Sequence, residues 1–353
     1  MTSPRQILTS GSLPEAGLLD RPPGASLLAR YRAHFAEAGI TLPLPQVRAP
    51  STGLLSVLPA PPAGRTGWPW TTESHRPAIP KSPGVPAISI IVPSFAQGAY
   101  LEEALRSILL QNYPSLELIV LDGGSKDESR AILERYSPWI SLARSGPDRG
   151  QAHALNLGFA LASGDIVAWL NSDDAYLPNA FTQVGGAFAA DAALEFLYGD
   201  GLYLEEQLAG ACYYCPSPLA WDRYLGFGGL VFSHASFWRR EITEPVWEAM
   251  QCNVDGELWR RLLRQSRRRH LPLPLGLNRG QPAAKTVDAH WRQAWKDDDS
   301  RIAAVYGRRH SPGPWLHREQ ARVQRLYQVW IAARWRQRRL DFLAACEWRA
   351  QVP

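Results

Sequence analysis

Two adjacent carboxylates, Asp173 and Asp174, close an apolar run in the stretch DIVAWLNSDDAYLP. Like charges this close repel each other and lose hydration when partly buried, so the pair needs a cation or hydrogen-bond donors unless it lies in a solvated turn. Other polar residues recur at comparable places. Asp122 follows LELIVL, Asp200 follows EFLYG, and Pro93 and Ser94 end ISIIV. Carboxylate oxygens suit hard divalent cations, and Mg²⁺ or Mn²⁺ is commonly held by one or two carboxylates together with the phosphate oxygens of a substrate. Such a site would recruit a nucleotide diphosphate and neutralise charge as that diphosphate departs. The sequence contains no Walker A loop and no GxGxxG pattern, which leaves an ATPase or a dinucleotide dehydrogenase little support. Gly123 and Gly124 in DGGS fit a tight turn that lets a ligand approach.

These residues need strands and helices to hold them. ISIIVPSF is a β-branched run, and Leu101, Ala104, Leu105, Ile108 and Leu109 follow it at helical spacing. LELIVLDGGS reads as a second buried strand, with Ser125 and Glu128 placed as a capping box for the helix DESRAILERYS. A short strand near SLARSG precedes the helix QAHALNLGFALAS, DIVAWLNSDD is the next strand, Pro178 opens another helix, and EFLYGDGLYLEE is strand-like. The alternation predicts an α/β fold, a Rossmann-like and mostly parallel sheet flanked by helices. In such sheets ligands bind beyond the carboxyl ends of the strands, so the acids share one rim.

Around this core the composition changes. Residues 1–86 are rich in Pro, Gly and Ser, with one plausible helix from Leu27 to Gly39, and read as an arm or linker, with order beginning at Ile88. Residues 87–290 form the central domain, and residues 291–353 a basic helical extension. From His317 onward eight arginines face three acids, which accounts for the whole net charge of +5. No segment approaches the roughly 20 apolar residues that span a bilayer, and the N-terminus lacks a signal pattern, so a soluble, unprocessed chain is expected. Four cysteines do not make a disulfide framework and fit a reducing cytoplasm.

Two longer stretches, VPSFAQGAYLEEALRSILLQNYPSLELIVLDGGSKDES and GPDRGQAHALNLGFALASGDIVAWLNSDDAYLPNA, are followed by FLYGD. Over residues 88–286 the sequence resembles the family 2 glycosyltransferases, which have the GT-A fold. The resemblance implies a nucleotide-binding half over 87–204 and an acceptor half over 205–290. It also implies transfer from a nucleotide-diphosphate sugar to a hydroxyl of a glycan or lipid-linked glycan, usually with inversion, and a place in cell-surface polysaccharide synthesis.

Carried over by position, Pro93 and Ser94 should line the nucleoside site, and Asp122 should accept a hydrogen bond from the base; its rival reading is a turn carboxylate. Asp173 should meet the ribose or the metal, and Asp174 the metal. Asn171 stands where many members have a further Asp. Asp255, in NVDGELWRRLL, matches the family's catalytic base, with a helix N-terminus to favour its ionised form; the rival is an N-cap, and Glu257 is the substitute base. Arg149 either pairs with the diphosphate or holds Asp148, and Gln151 is assigned with it to the donor site. His153 takes the place of a frequent Asp. In NRGQPAAKT, Arg279, Lys285 and Thr286 are kept, whereas Gln281 replaces a His that helps bind metal or diphosphate.

Other signals carry less. CYYC, Cys212 to Cys215, lacks a second ligand pair, and the DDD of Asp297 to Asp299 reads as a solvated helix start. His234 either contacts the acceptor or satisfies a core hydrogen bond. RRLLRQSRRRH and RWRQRRL come with no nucleic-acid module, so no nucleic-acid partner is expected. The last basic helix, with Val323, Leu326, Tyr327 and Trp330 on one stripe, is a candidate for peripheral membrane contact, although Arg334 interrupts the stripe and favours packing on the core. A catalytically decayed nucleotide-sugar or glycan-binding module is the alternative, motivated by Asn171, His153 and Gln281. A sugar-phosphate nucleotidyltransferase is a weaker one, because VPSFAQGAY is neither basic nor Gly-rich.

Overall fold

The structure, a computed structural model, describes residues 21–75, 84–205, 210–214 and 231–307, without the side chains of 205 and 210–214. Strands β1 (Ile88–Ser94) and β2 (Leu116–Asp122) are buried along their whole length. Both are apolar runs with no polar face, so only a sheet covered on both sides can hold them. They pair in parallel from Ile88 opposite Leu116 to Ser94 opposite Asp122. β3 (Leu142–Ser145) joins β2 in parallel and brings Ser145 beside Asp122, and β4 (Ile166–Trp169) joins β1 in parallel. Helices α2 (Gly98–Leu109), α3 (Ser129–Tyr136) and α4 (Gln151–Leu161) lie between these strands in the chain.

Past β4 the same sheet continues with mixed direction. Its order is β3-β2-β1-β4-β8-β6-β9-β5, with β8 at Ser236–Arg239, β6 at Phe196–Glu205, β9 at Arg268–Gly280 and β5 at Ala175–Tyr176. β8 is antiparallel to both β4 and β6, β9 is parallel to β6, and β7 (Gly210–Tyr214) pairs off β6. Helices α5 (Ala180–Ala190), α6 (Val254–Gln265) and α7 (Arg292–Tyr306) complete the described elements. The chain thus forms the expected α/β sheet flanked by helices.

Apolar layers cover the two faces. On one, Leu101, Leu105 and Ile108 of α2 pack with Val47, Leu54, Leu58 and Trp68. On the other, α4 and α6 enclose Trp169, Trp238 and Trp259, the first and last stacked with ring centroids 5.0 Å apart. Truncating such an indole to Ala typically costs about 3–5 kcal/mol.

The segment before Ile88 is part of these layers, which corrects the expectation that order begins there. In α1 (Ser26–Glu37), Leu27, Leu28, Tyr31 and Phe35 are buried against the α4 face. The proline-rich stretch after it has carbonyls that no ladder pairs, and the buried Arg106 guanidinium donates to those of Pro59, Pro69 and Trp70. Desolvating that cation is tolerable because its fork is filled by fixed acceptors.

Three further readings change. α3 has no side-chain cap, because Ser125 Oγ donates to Asp122 and accepts from the Ala96 amide; Asp127 receives the Ser129 amide instead. Asp200 does not end a strand: β6 runs through it, and its carboxylate meets His270 Nε2 at 2.7 Å. Asp297 to Asp299 lie within α7, not at its start. The second cysteine of CYYC and the basic helix after His317 lie outside the described residues, as do the side chains of the rest of that motif. Among the described residues no helix is long and apolar enough to cross a membrane.

Candidate active site

A cavity of about 790 Å³ opens at the carboxyl ends of β1, β2 and β4. The chain leaving β1 gives it Pro93, Ser94 and the exposed Phe95, the turn after β2 gives Gly123, and the chain after β4 gives Asn171 and Asp173. The opposite wall comes from the start of α6 with Asp255, from Asn278 and Arg279 of β9, and from the loop that carries Lys285. A cavity at the ends of parallel strands is where an α/β sheet places its ligand.

The predicted residues divide into those that reach the cavity and those that do not. Pro93, Ser94, Gln151, Asp173 and Asp255 form part of its wall. Asp122 does not: it is fully buried and accepts from the amides of Gly124 and Ser125 and from the hydroxyls of Ser125 and Ser145. Gly124, at φ +85°, lets the turn close against the backbone of Gly146 and Pro147.

Asp174, which the resemblance assigns to a metal, does not line the cavity. Its Oδ1 accepts from the Arg279 amide and from Asn278 Nδ2, both at 3.0 Å, and its Oδ2 from Asn171 Nδ2. Asp174 thus pins β9 to the turn, and of the pair it is Asp173 that lines the cavity. Burial, reinforced by the charge of Asp173, holds the Asp174 carboxyl well above the usual range.

Arg149 does not line the cavity, although its charge still favours the ionised form of Asp148. Its Nε and Nη2 donate to Glu248 Oε2 at 3.2 and 2.9 Å, and Nη2 also donates to Tyr31 Oη. Glu248, mostly buried, draws the guanidinium toward α1 and away from the cavity. Asp148 stays on the cavity wall, where burial raises its carboxyl although the Gly150 amide donates to it. His153 is buried against Tyr31, its Nδ1 accepting the Arg149 amide, and it does not reach the cavity.

Asp255 sits in the first turn of α6, and the N-cap position belongs to Asn253, so the capping reading of Asp255 is removed. Its Oδ1 accepts the Gly256 amide at 2.8 Å. Burial outweighs this donor and pushes the carboxyl up, the reverse of the effect expected from the helix terminus alone. Glu257 faces elsewhere, fully buried and bonded to Arg261 through both oxygens and to Tyr306 Oη.

Asp298, Trp291 and Trp295 had no site role in the sequence reading, and Lys285 appeared there only as a residue the motif keeps. Asp298 is fully buried in α7, and its Oδ2 accepts the amides of Gln251, Cys252 and Asn253 at 2.7–3.0 Å, fixing the turn that aims Asp255. Its only signal was the DDD run. Lys285 Nζ lies on the cavity wall and donates to Gln151 Oε1 and to the Gln251 carbonyl. Trp291 and Trp295 line the same wall, Trp295 Nε1 donating to the Lys285 carbonyl. His234 does not satisfy a core hydrogen bond through Nε2, which is buried and unpaired beside the cavity; burial lowers its pKa to about 3.

The donor set suits a divalent ion only in company with ligand oxygens. Asp173 is one carboxylate, and Gln281 Nε2 donates to its Oδ2 at 3.2 Å where a His was expected from the resemblance. Among the described residues no three His, Cys, Asp or Glu side chains gather as a metal cage. Mg²⁺ is commonly bound by one or two carboxylates plus substrate phosphates and water, and Asp173 meets that minimum.

The helix-flanked α/β sheet thus carries an acid-lined cavity at its strand ends. Residues 89–195 match the profile of glycosyl transferase family 2, and the chain carries a family 2 glycosyltransferase domain. An uncharacterized glycosyltransferase of Nostoc sp. is 32% identical over 110 residues, 29% of this chain and 32% of that protein. One of Mycobacterium tuberculosis H37Rv is 32% identical over 164 residues, 46% of this chain and 62% of the relative. The matches thus span about a third of the first relative and less than two thirds of the second. Among solved structures, S. aureus TarS 1–349 in complex with UDP-GlcNAc aligns at TM-score 0.47 and 17% identity, over 62% of this chain and 66% of that one. Mannosyltransferase PcManGT from Pyrobaculum calidifontis in complex with GDP-Man and Mn²⁺ aligns at TM-score 0.46 and 17% identity, over 82% of this chain and 75% of the other.

Proposed function

We propose that the protein transfers a sugar, with inversion, from a nucleotide-diphosphate sugar to a hydroxyl of a glycan or lipid-linked glycan. The observation that carries this reading is the placement of Asp173 and Asp255 on the walls of one cavity in a glycosyltransferase domain. Pro93, Ser94 and Gly123 contribute the nucleoside end, where Ser94 Oγ is buried without a protein partner and offers a hydrogen bond to a ligand. Gln151 holds the side chain of Asn171, its Nε2 donating to Asn171 Oδ1 at 2.9 Å, so the approach to Asp173 is fixed.

Asp255 takes the proton of the acceptor hydroxyl as that oxygen attacks the anomeric carbon. Burial suits the role, since a carboxyl raised toward the working pH is a stronger base than one in water. Asp173 would hold Mg²⁺ or Mn²⁺ delivered with the donor diphosphate; such an ion, when bound, offsets charge developing on the leaving group. Residues 87–204 then serve the nucleotide and 205–290 the acceptor, with 1–86 and 291–353 flanking this domain. A cytoplasmic enzyme working at the membrane face, in cell-surface polysaccharide synthesis, fits a lipid-linked acceptor.

The test is release of nucleoside diphosphate from a panel of UDP-, GDP- and dTDP-sugars, with and without Mn²⁺ and simple glycan acceptors. Acceptor-stimulated release from one donor, yielding a product of inverted anomeric configuration, is expected. Tight donor binding with no release under any condition would instead establish a binding module.

A further inference from the structure

Resting on that donor reading, we propose that Lys285 supplies the protein's own cation to the donor diphosphate, so that part of the diphosphate affinity survives without a metal ion.

The cavity holds Asp148, Asp173 and Asp255 on its walls, and a dianionic diphosphate would add to that negative charge. A single divalent ion held by one carboxylate neutralises the diphosphate but leaves the charge of its own ligand uncompensated. Two cationic side chains line the cavity among the described residues, Arg279 and Lys285. Arg279 is engaged: Nη2 pairs with Glu103 at 2.9 Å, Nε donates to the Asp173 carbonyl, and the guanidinium lies over the Tyr100 ring. Lys285 is held differently. Its ammonium donates to two neutral acceptors, Gln151 Oε1 at 3.2 Å and the Gln251 carbonyl at 2.6 Å, and lies 5.2 Å from the centroid of Trp291.

A partly buried ammonium whose direct hydrogen-bond partners are neutral has lost hydration that the charges of Asp298 and Asp173 do not fully restore, which is costly until an anion makes direct contact. Its lowered pKa, caused first by desolvation, records that cost. The location is specific. Gln151 binds Lys285 through Oε1 and Asn171 through Nε2, so one amide links the ammonium to the segment that carries Asp173. An incoming phosphate oxygen can replace the weak 3.2 Å contact to Gln151 while the Gln251 carbonyl and Trp291 keep the side chain aimed. Preorganised cations of this kind act on a leaving diphosphate without reorganisation.

The experiment is calorimetric titration of the full chain with UDP, GDP and dTDP, in EDTA and in Mn²⁺, with uridine, guanosine and thymidine as controls lacking phosphate. The native protein is expected to bind one diphosphate in EDTA, and Lys285→Met to weaken that binding about tenfold or more. Nucleoside binding should be unchanged, and Lys285→Arg should recover most of the loss. Thermal melting of the variants checks that each is folded, and the arginine variant serves should Lys285→Met not be. Equal affinity of native and Lys285→Met protein in EDTA overturns the assignment, as does native binding that needs Mn²⁺ altogether. Binding of none of the three diphosphates in either buffer removes the donor reading itself.

Discussion

The rim built by β1 to β4 and the wall contributed by residues 251–295 treat their charged groups in opposite ways. At the rim, Asp122, Asp174 and Arg149 are bonded to partners inside the fold, whereas Asp148 and Asp173 line the cavity. On the wall, Asp255 accepts one neighbouring amide and Lys285 contacts only neutral groups. Charges that organise a fold are those whose hydrogen bonds close within it, and charges that can serve a ligand are those left incomplete. Position at a strand end tells where the ligand sits. Hydrogen-bond saturation tells which residue meets it.

The sharpest way to break this contrast is Asp255→Asn. If the incomplete carboxylate is the base, kcat should fall about 10³-fold while affinity for the nucleoside diphosphate stays unchanged. Turnover within tenfold of the native rate would return Asp255 to a structural role. A smaller loss, about 100-fold in kcat/KM, is expected for Asp173→Asn, accompanied by loss of any Mn²⁺ stimulation. Asp122→Asn supplies the contrast at the rim, since its cost should appear in unfolding free energy, about 2–3 kcal/mol, because the amide turns donors toward donors.

Much of the rim was legible in advance, since a buried parallel strand is written as a mostly apolar run, as in β1, β2 and β4, with Ser89 and Glu117 the buried polar exceptions near the strand starts. The chemistry at their ends was legible only as location. Nothing in LDGGS says that two serines and two amides will consume the Asp122 carboxylate, because Ser145 arrives from β3 by sheet register. Arg149 illustrates the same limit: the acid that captures it lies 99 residues further on. The packing of α1 was overlooked because prolines around it suggested a linker, although Leu27, Leu28, Tyr31 and Phe35 already carried helical spacing. Asp298 was misread for a related reason. A run of three acids looks solvated until the loop it binds, 45–47 residues earlier, is brought against it.

That buried acid sharpens the comparison from the wall side, as a saturated charge within the incomplete region. Asp298→Ala leaves three amides of the 251–253 turn without their acceptor, and about 3 kcal/mol of stability should be lost in chemical denaturation. Because the turn aims Asp255, kcat should fall as well, with diphosphate affinity little affected. A destabilised variant of native kcat would separate Asp298 from the base and leave it a purely architectural residue.

The smallest expected effect concerns two histidines, one on each side of the contrast. His153 lies under the rim with its pKa lowered to about 4, and His234 lies beside the cavity with its pKa lowered to about 3, in both cases first by burial. Each Nε2 is buried and unpaired, so a protonated ring would hold a cation with an unsatisfied donor. For His153, Glu248 opposes the shift, whereas Arg149 and Arg144 add to it. Since the folded pKa lies below the unfolded one, the neutral ring's contribution is complete above pH 6.5 or so. It is lost as pH falls from there toward the folded value, at about 1 kcal/mol per pH unit for each ring. Urea unfolding between pH 7 and pH 5 should show this slope, and His153→Phe should remove roughly half of it. The His234→Phe variant should flatten the curve similarly, but it also takes an unpaired nitrogen from beside the cavity. If diphosphate or acceptor binding weakens there and not in His153→Phe, the incomplete group at the cavity is one that a ligand completes, whereas the one beneath the rim is not.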